Sequence, residues 1–237
     1  MNNKVLSIII PSYNEGATIC KILEKILQVG LPGNTEKEVV VVDDGSRDAT
    51  QQAVEEFARS HPRMPVRYVR HEKNQGKGMA IRTGIGYITG DYVIIQDADL
   101  EYDPQDYRLL LPHLLSGEHR VVYGSRFLNK QNRHSYQTFY WGGRLVSFVT
   151  NLLYGQHLTD EPTCYKMFEA SLLKSIELRC TGFEFCPEVT AKVAKLGHRI
   201  KEIPINYYPR SVEEGKKIKW TDGLAAINTL VKYRFKK

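Results

Sequence analysis

The sequence predicts an α/β protein with a parallel sheet covered by helices on both faces. In the first half of the chain, short apolar runs rich in valine and isoleucine alternate with longer segments whose apolar residues recur at helical spacing. Strands that are apolar on both faces are typical of a parallel sheet between two helix layers. The chain has 237 residues, of which 42% are hydrophobic and 25% charged, so it can form a full core.

The elements of the first half follow from local patterns. Pro11 closes a β-rich run at Val5–Ile10, and four valines make up most of the run Glu38–Val42. Between them, Glu15–Val29 places its isoleucines and leucines at helical spacing. The same reasoning predicts the remaining strands and helices of this half at Asp48–Ser60, Val66–Val69, Gly78–Ile88 and Tyr92–Ile95.

The second half is predicted to contain two further strands, at Val121–Tyr123 and Arg199–Ile205. Its predicted helices are 104–115, Tyr136–Tyr154, Phe185–Leu196 and Asp222–Tyr233. The last of these presents one apolar face, formed by Leu224, Ile227, Val231 and Phe235, with Leu230 beside them. No repeat or linker interrupts the chain, so one domain with a C-terminal extension is expected.

Composition excludes several classes of protein. No apolar run reaches the roughly 18 residues that span a bilayer, and the first residues lack the apolar region of a signal peptide, so a cytoplasmic protein is expected. None of the four cysteines forms a Cys-x-x-Cys pair or lies at zinc-ligand spacing from a histidine. They are interpreted as thiols in a reducing compartment.

The net charge of +6 is concentrated at the C-terminal end. The stretch 209–237 holds eight basic and three acidic residues. A basic end favours an anionic partner, such as nucleic acid, phospholipid headgroups or a phosphorylated substrate. The alternative is a tail that only adds solubility.

Two polar loops follow the first two predicted strands. The loop Pro11-Ser-Tyr-Asn-Glu15 lacks the glycines of a dinucleotide fingerprint, and Ser12 or Asn14 could simply cap the following helix. The loop Asp43-Asp44-Gly-Ser46 offers two carboxylates to nucleobase and ribose groups or to a metal, or forms only a turn and a cap. Ligands bind at this edge of parallel sheets.

A third loop is acidic and follows the fourth predicted strand. In an extended segment, alternate residues share a face, so Asp97, Asp99 and Glu101 are expected to converge and to bind a hard divalent cation that bridges to phosphate oxygens. A fourth set is basic and suits phosphate groups. It comprises Lys77 in Asn74–Gly78, Arg126 in Gly124–Phe127, Arg210, and Lys216, Lys217 and Lys219.

In their order and spacing, these motifs resemble those of family 2 glycosyltransferases, and most closely the branch of dolichyl-phosphate mannose synthase that acts on polyprenyl phosphates. The resemblance covers about residues 4–210. It rests on Pro11-x-Tyr-Asn-Glu15, Asp43-Asp44-Gly-Ser46, Asn74-x-Gly-Lys-Gly78, Asp97-x-Asp99 and Gly124-Ser-Arg-Phe127. It implies a GT-A fold over residues 1–210, a three-layer sandwich around a mixed, mostly parallel sheet. Residues 211–237 are then a basic amphipathic extension.

The resemblance also implies roles for individual residues. The expected nucleotide-sugar contacts are Pro11, Tyr13, Glu15, Asp43, Asp44, Lys77, Asp97, Ala98, Asp99 and Lys166. Mg²⁺ or Mn²⁺ is expected on Asp97, Asp99 and Glu101. The expected acceptor-phosphate contacts are Ser125, Arg126, Arg210, Lys216, Lys217 and Lys219. Catalytic roles are expected for Asp97, Asp99, Asp160, Arg126 and Arg210.

These residues predict an inverting transfer of one sugar from a UDP- or GDP-sugar to a polyprenyl phosphate at the cytoplasmic membrane face. The basic C-terminus would hold the enzyme on the membrane. The alternative is a hydroxyl acceptor on a glycan or other soluble molecule, with Asp160 as the base. The segment Asp160–Lys166 departs from the family's acceptor motif and leaves both acceptors open. The sequence also leaves open whether the protein forms a homo-oligomer.

Three other functions fit the sequence less well. A processive polysaccharide synthase is disfavoured because position 140 of the candidate Gln-x-x-Arg-Trp motif is Tyr. A nucleotidyltransferase would need a first loop rich in glycine and cations, which Pro11–Glu15 is not. A nucleic-acid binder is disfavoured because the interior motifs are acidic.

Overall fold

The computed structural model describes residues 3–133, 137–210 and 220–236. Seven strands form one sheet in the order β3-β2-β1-β4-β6-β5-β7. The strands are β1 (Val5–Ser12), β2 (Glu36–Asp43), β3 (Val66–Arg70), β4 (Tyr92–Ile95), β5 (Val121–Ser125), β6 (Lys166–Glu169) and β7 (Lys201–Pro204). The predicted α/β class and the mixed GT-A sheet are confirmed.

Helices connect most of these strands and cover the sheet. They are α1 (Ile19–Gln28), α2 (Thr50–Ser60), α3 (Lys77–Ile85), α4 (Tyr107–Leu115), α5 (Gln137–Tyr154), α6 (Ala170–Ser175), α7 (Phe185–Lys195) and α8 (Trp220–Phe235). Across the three described stretches, none of them combines the length and apolar character required to cross a bilayer.

The first four strands form a parallel unit with β1 at its centre. Ile8 lies opposite Val39 of β2 on one side and Ile94 of β4 on the other. These side chains are buried because helices cover both faces of the sheet, as the unbroken valine and isoleucine runs predict. The carboxyl ends of β1, β2 and β4 therefore lie side by side and carry the polar loops of the sequence analysis.

The second half of the sheet is completed by a strand that the sequence analysis missed. β6 runs antiparallel to both β4 and β5, and β5 pairs in parallel with β7. Only two of its four residues are apolar, since Lys166 begins it and Glu169 ends it. Two charged ends on so short a segment hide the strand from a reading based on hydrophobic pattern.

Two helix boundaries differ from prediction for local reasons. α1 begins at Ile19 rather than Glu15, because the backbone first makes a turn in which Thr18 N donates to Glu15 O at 3.0 Å. The helix predicted from Pro104 to Leu115 is divided into a short 3₁₀ turn, Pro104–Asp106, and α4.

The last helix packs on the protein mainly through residues outside the predicted face, from which Ile227 alone joins the packing. Leu230 and Tyr233 are buried against Val146 of α5 and Ala191 of α7. Leu224, Val231 and Phe235 of the predicted face are 57%, 41% and 79% exposed. The domain boundary predicted at residue 210 stays a prediction, and Lys216, Lys217 and Lys219 lie outside the described residues.

Candidate active site

The loops after β1 and β2 are bonded to each other. The backbone N–H of Asn14 donates to Ser46 Oγ at 2.8 Å, and Asn14 Oδ1 accepts from Arg47 N at 2.9 Å. Asn14 adopts a left-handed conformation with φ of 55°, which asparagine tolerates better than most residues. Its side chain therefore joins two loops and does not cap α1, which corrects one of the alternatives raised by the sequence.

The carboxylates at the end of β2 point into the protein. Asp43 accepts from Ser46 N at 2.7 Å and from the Tyr68 hydroxyl. Burial, reinforced by Asp43, raises the pKa of Tyr68. The Tyr68–Asp43 pair fixes the turn after β2 against β3.

Asp44 holds the loop between β3 and α3. Its carboxylate accepts from the backbone N–H of Gln75 at 2.8 Å and of Gly76 at 2.7 Å, and lies 2.7 Å from His71 Nδ1. Gly76 has φ of 95°, and a Cβ there would approach the Thr181 carbonyl oxygen to 2.3 Å. Asp44 and Gly76 together fix the loop that begins α3, while direct contact of Asp43 or Asp44 with a nucleoside stays a prediction.

The remaining predicted nucleotide contacts lie near these loops. Pro11 is the penultimate residue of β1, and Tyr13 and Glu15 are half-buried in the loop that follows. Glu15 Oε2 accepts from Thr18 Oγ1 at 2.8 Å. Ala98 is buried, and its contact with the nucleotide sugar stays a prediction.

Lys77 and Asp97 form an ion pair across the site. Lys77 Nζ, at the first residue of α3, lies 2.5 Å from Asp97 Oδ1 just beyond β4. Burial opposes the charge on Lys77, but the attraction of Asp97 outweighs it and raises the lysine pKa. Cys164 Sγ, which the sequence analysis did not include in the site, lies 3.8 Å from Lys77 Nζ.

Contrary to the prediction from the sequence, the three carboxylates do not share one face of an extended segment. Leu100 has φ of 65°, so residues 97–101 are not extended and the alternation of faces is lost. Glu101 Oε1 instead accepts from Arg210 N at 2.9 Å and Oε2 from the Tyr207 hydroxyl at 2.9 Å. Among the described residues, no three acidic, cysteine or histidine side chains are grouped to hold a metal ion. Glu101 supports the segment 207–210, and its contact with a metal stays a prediction.

Asp97 and Asp99 remain together and suit a cation. Asp99 Oδ2 lies 2.6 Å from Arg210 Nη2, and the two carboxylates keep 17% and 15% of their side-chain surface exposed. Burial and the charges of Asp97 and Glu101 raise the pKa of Asp99 to about 7 despite Arg210. Two crowded carboxylates are the oxygen ligands that Mg²⁺ and Mn²⁺ prefer, and a cation would relieve their repulsion.

Arg126 and Asp160 form a second ion pair, between β5 and the segment before β6. Arg126 donates to Asp160 from Nε at 2.8 Å, from Nη2 at 2.7 Å and from its backbone N–H at 2.9 Å. The Asp160 side chain is 0% exposed, whereas Arg126 keeps 17%. The carboxylate predicted as the base for a hydroxyl acceptor is therefore buried and bonded to Arg126, which it orients. Ser125 is also buried and bonds Thr159 Oγ1 at 2.6 Å.

Lys166 does not reach the site, which corrects the expected phosphate contact. Its side chain is 0% exposed and donates to the carbonyl oxygen of Glu161 at 2.5 Å. Its Nζ lies 3.9 Å from the Glu161 carboxylate and 3.8 Å from the centre of the Tyr123 ring. Burial raises the pKa of Glu161, and the lysine opposes that rise. The pair lies within the core, beneath the loop that carries Asp160.

This fold, with its carboxylates at the strand ends, is of the GT-A class. Solved structures of glucosyl-3-phosphoglycerate synthase from Mycobacterium tuberculosis share the fold. The complex of that enzyme with Mn²⁺ and UDP-glucose aligns with a TM-score of 0.73 and 20% identity, over 97% of this chain and 79% of that chain.

The chain belongs to glycosyl transferase family 2, whose family model matches residues 7–177. It is 30% identical over 221 residues to the UDP-N-acetylglucosamine–dolichyl-phosphate N-acetylglucosaminyltransferase of Methanococcus voltae, covering 86% of each chain. It is 28% identical over 240 residues to a dolichyl-phosphate beta-glucosyltransferase of Trichomonas vaginalis, covering 96% of this chain and 72% of the relative. The predicted family and its polyprenyl-phosphate branch are confirmed.

Proposed function

We propose that this glycosyltransferase transfers one sugar from a nucleoside-diphosphate sugar, UDP-linked by analogy with its relatives, to a polyprenyl phosphate. The relatives named above act on dolichyl phosphate. One observation in the structure carries the choice of acceptor. The carboxylate in the position of a base, Asp160, is buried, and both its oxygens accept from Arg126.

A phosphate acceptor has no need of such a base. A phosphate monoester is already an anion near neutral pH, so its oxygen attacks without losing a proton, whereas a hydroxyl must be deprotonated. What a phosphate acceptor does need is positive charge to offset its repulsion from the donor diphosphate. Arg126, with its fork fixed by Asp160 and part of its surface exposed, is suited to bind that phosphate.

The donor end of the site is assigned to Asp97 and Asp99. These carboxylates would hold Mg²⁺ or Mn²⁺, which neutralises charge on the departing nucleoside diphosphate. Lys77 and Arg210, which pair with them here, add positive charge on the same side. A single displacement at the anomeric carbon inverts its configuration, and electrostatic stabilisation of the leaving group accelerates it.

The proposed location of the enzyme follows from the nature of its acceptor. A polyprenyl phosphate keeps its chain in the bilayer and its phosphate at the surface, so the enzyme works as a peripheral membrane protein at the cytoplasmic face. The buried Asp160 disfavours the alternative acceptor, a hydroxyl on a soluble molecule.

A direct assay tests the proposal. Purified protein is incubated with Mn²⁺ or Mg²⁺, a short-chain polyprenyl phosphate and a panel of UDP- and GDP-sugars, and the lipid fraction is analysed by mass spectrometry. A glycosyl phosphoryl lipid is expected with a UDP-sugar. Nucleotide release that depends on a hydroxyl acceptor, with no such lipid, would overturn the proposed acceptor. A lipid product that forms equally with chelator present would remove the metal from the mechanism.

A further inference from the structure

Helix α5 exposes a continuous apolar stripe. Trp141, Leu145, Phe148 and Leu152 are 67%, 53%, 64% and 73% exposed. Their spacing of four, three and four residues places them within about 60° of one another around the helix axis, over roughly 16 Å of its length. Large exposed apolar groups arranged as one patch mark an interaction surface, whereas isolated ones do not.

The charged side chains on α5 and at the end of α8 are basic. α5 has no acidic residue, and its one charged side chain, Arg144, is exposed. α8, which packs against α5, exposes Leu224, Val231 and Phe235 on its outer side. The last turn of α8 adds the exposed cations Lys232 and Arg234, and the exposed Lys236 follows the helix. Apolar stripes flanked by lysine and arginine are typical of helices that lie in the interface of an anionic bilayer.

The stripe also begins beside the predicted acceptor site. The Phe127 ring, next to Arg126, meets Tyr140 at 5.0 Å between centroids, and Tyr140 meets Trp141 at 5.3 Å. Arg144 Cζ lies 5.8 Å from the centre of the Phe127 ring. A row of aromatic rings thus connects the Arg126–Asp160 pair with the exposed face of α5.

We propose that the exposed face of α5 lies in the headgroup–acyl interface of an anionic bilayer and that it holds the Arg126 end of the site at the membrane surface. The inference rests on the proposed lipid-phosphate acceptor, because only such an acceptor requires the site to meet a bilayer. Membrane contact is thereby assigned to α5, with α8 in support, and not to the basic C-terminal segment alone. Trp141 would lie nearest the acceptor phosphate, at the depth where tryptophan prefers to reside.

Vesicle binding tests the surface. The protein is mixed with phosphatidylcholine vesicles with and without phosphatidylglycerol, and binding is measured by flotation. Wild type should bind the anionic vesicles, and F148E/L152E should bind at least tenfold more weakly. The matched control is L109E, which places the same charge on an exposed leucine of α4 that is 48% exposed. This control should bind as wild type does, and circular dichroism confirms that each variant is folded.

The depth of α5 gives an independent measurement. The chain has two tryptophans, so W220F leaves Trp141 as the single reporter. Its emission should shift to the blue on anionic vesicles and be quenched by brominated acyl chains. An unchanged emission on vesicles that do bind the protein would overturn the proposed contact through α5.

Two further outcomes would separate the hypotheses. If wild type ignores vesicles yet glycosylates a soluble short-chain polyprenyl phosphate, the docking surface is wrong and the proposed function stands. If it binds vesicles through α5 but transfers sugar to no phosphate, the function is wrong. Sedimentation tests whether a second copy of the chain covers the exposed face of α5. A wild-type dimer that F148E converts to a monomer would overturn the bilayer proposal.

Discussion

The two halves of the sheet hold their buried carboxylates in different ways. In the parallel half, Asp43 and Asp44 accept mainly from backbone N–H groups of the loops they fix. In the half built on β5, β6 and β7, Asp160 and Glu161 lie against the cationic side chains of Arg126 and Lys166. The first arrangement shapes loops that are built from local sequence. The second depends on side chains that only the tertiary fold brings together, so its charges are more costly to disturb.

The largest expected effect concerns Asp97, at the boundary between the halves. D97N removes one of the two carboxylates assigned to the cation and should lower the transfer rate by about 10²–10³-fold, the loss typical of removing a preorganised electrostatic group. Initial rates at saturating donor measure it.

The control for this prediction is D91N at the opposite end of β4. Asp91 pairs with Lys4 at 2.7 Å in an exposed ion pair, and this variant should keep its rate. Equal rates in wild type and D97N would remove Asp97 from the mechanism.

The largest effect on stability is expected in the second half. K166M leaves Glu161 buried without its cation and should lower the free energy of unfolding by about 3–5 kcal/mol. Urea denaturation measures the change. The double variant K166M/E161L removes both charges and should recover most of the loss. If K166M were as stable as wild type, the Lys166–Glu161 pair would not stabilise the loop that carries Asp160.

A smaller loss is expected in the parallel half. D44A deprives the backbone N–H groups of Gln75 and Gly76 of their acceptor and should cost about 2 kcal/mol, since Gln75 is exposed enough for water to replace part of the bond. D44N keeps one acceptor oxygen and should cost less. Amide hydrogen exchange at Gln75 and Gly76 locates the effect, and unchanged exchange in D44A would contradict the assigned role.

The smallest effect depends on pH. Asp106 bonds Asn206 through both oxygens, and burial raises its pKa from the ordinary 3.8 to about 6. Between these values the folded protein binds more protons than the unfolded chain, so this group makes stability fall as pH rises from about 4 to 6. D106N should abolish this contribution. After allowance for solvent screening, it amounts to a change of about 1 kcal/mol in the free energy of unfolding between pH 4 and 6. Urea denaturation at several pH values measures this difference. The same pH dependence of the free energy of unfolding in wild type and D106N would contradict the prediction.

The success of the predictions from sequence also differs between the two halves of the sheet. The strands and helices of the parallel half were predicted within a few residues, because their patterns are local and the valine and isoleucine runs are unbroken. The sequence also located Asp97 and Asp99 beyond the end of β4. It did not predict the turn at Leu100, because leucine rarely adopts a positive φ.

The errors in the second half have a common cause. Lys166 was assigned to the nucleotide sugar through the family resemblance, yet its environment is set by Glu161 and Tyr123. Strand β6 was missed because two of its four residues are charged, and its place between β4 and β5 is set by long-range pairing. Contacts of that kind depend on topology, and no local pattern encodes them.

The position of β6 also bears on how the chain is made. Its neighbours in the sheet are β4 and β5, and among the described strands β5 pairs with β6 and β7 alone. The ribosome completes β4 at residue 95 and β5 at residue 125, but β6 ends only at residue 169. At about 5–20 residues per second, β5 emerges several seconds before either strand that can pair with it. The parallel half can assemble during this interval, and a chaperone that protects nascent edges would act on β5.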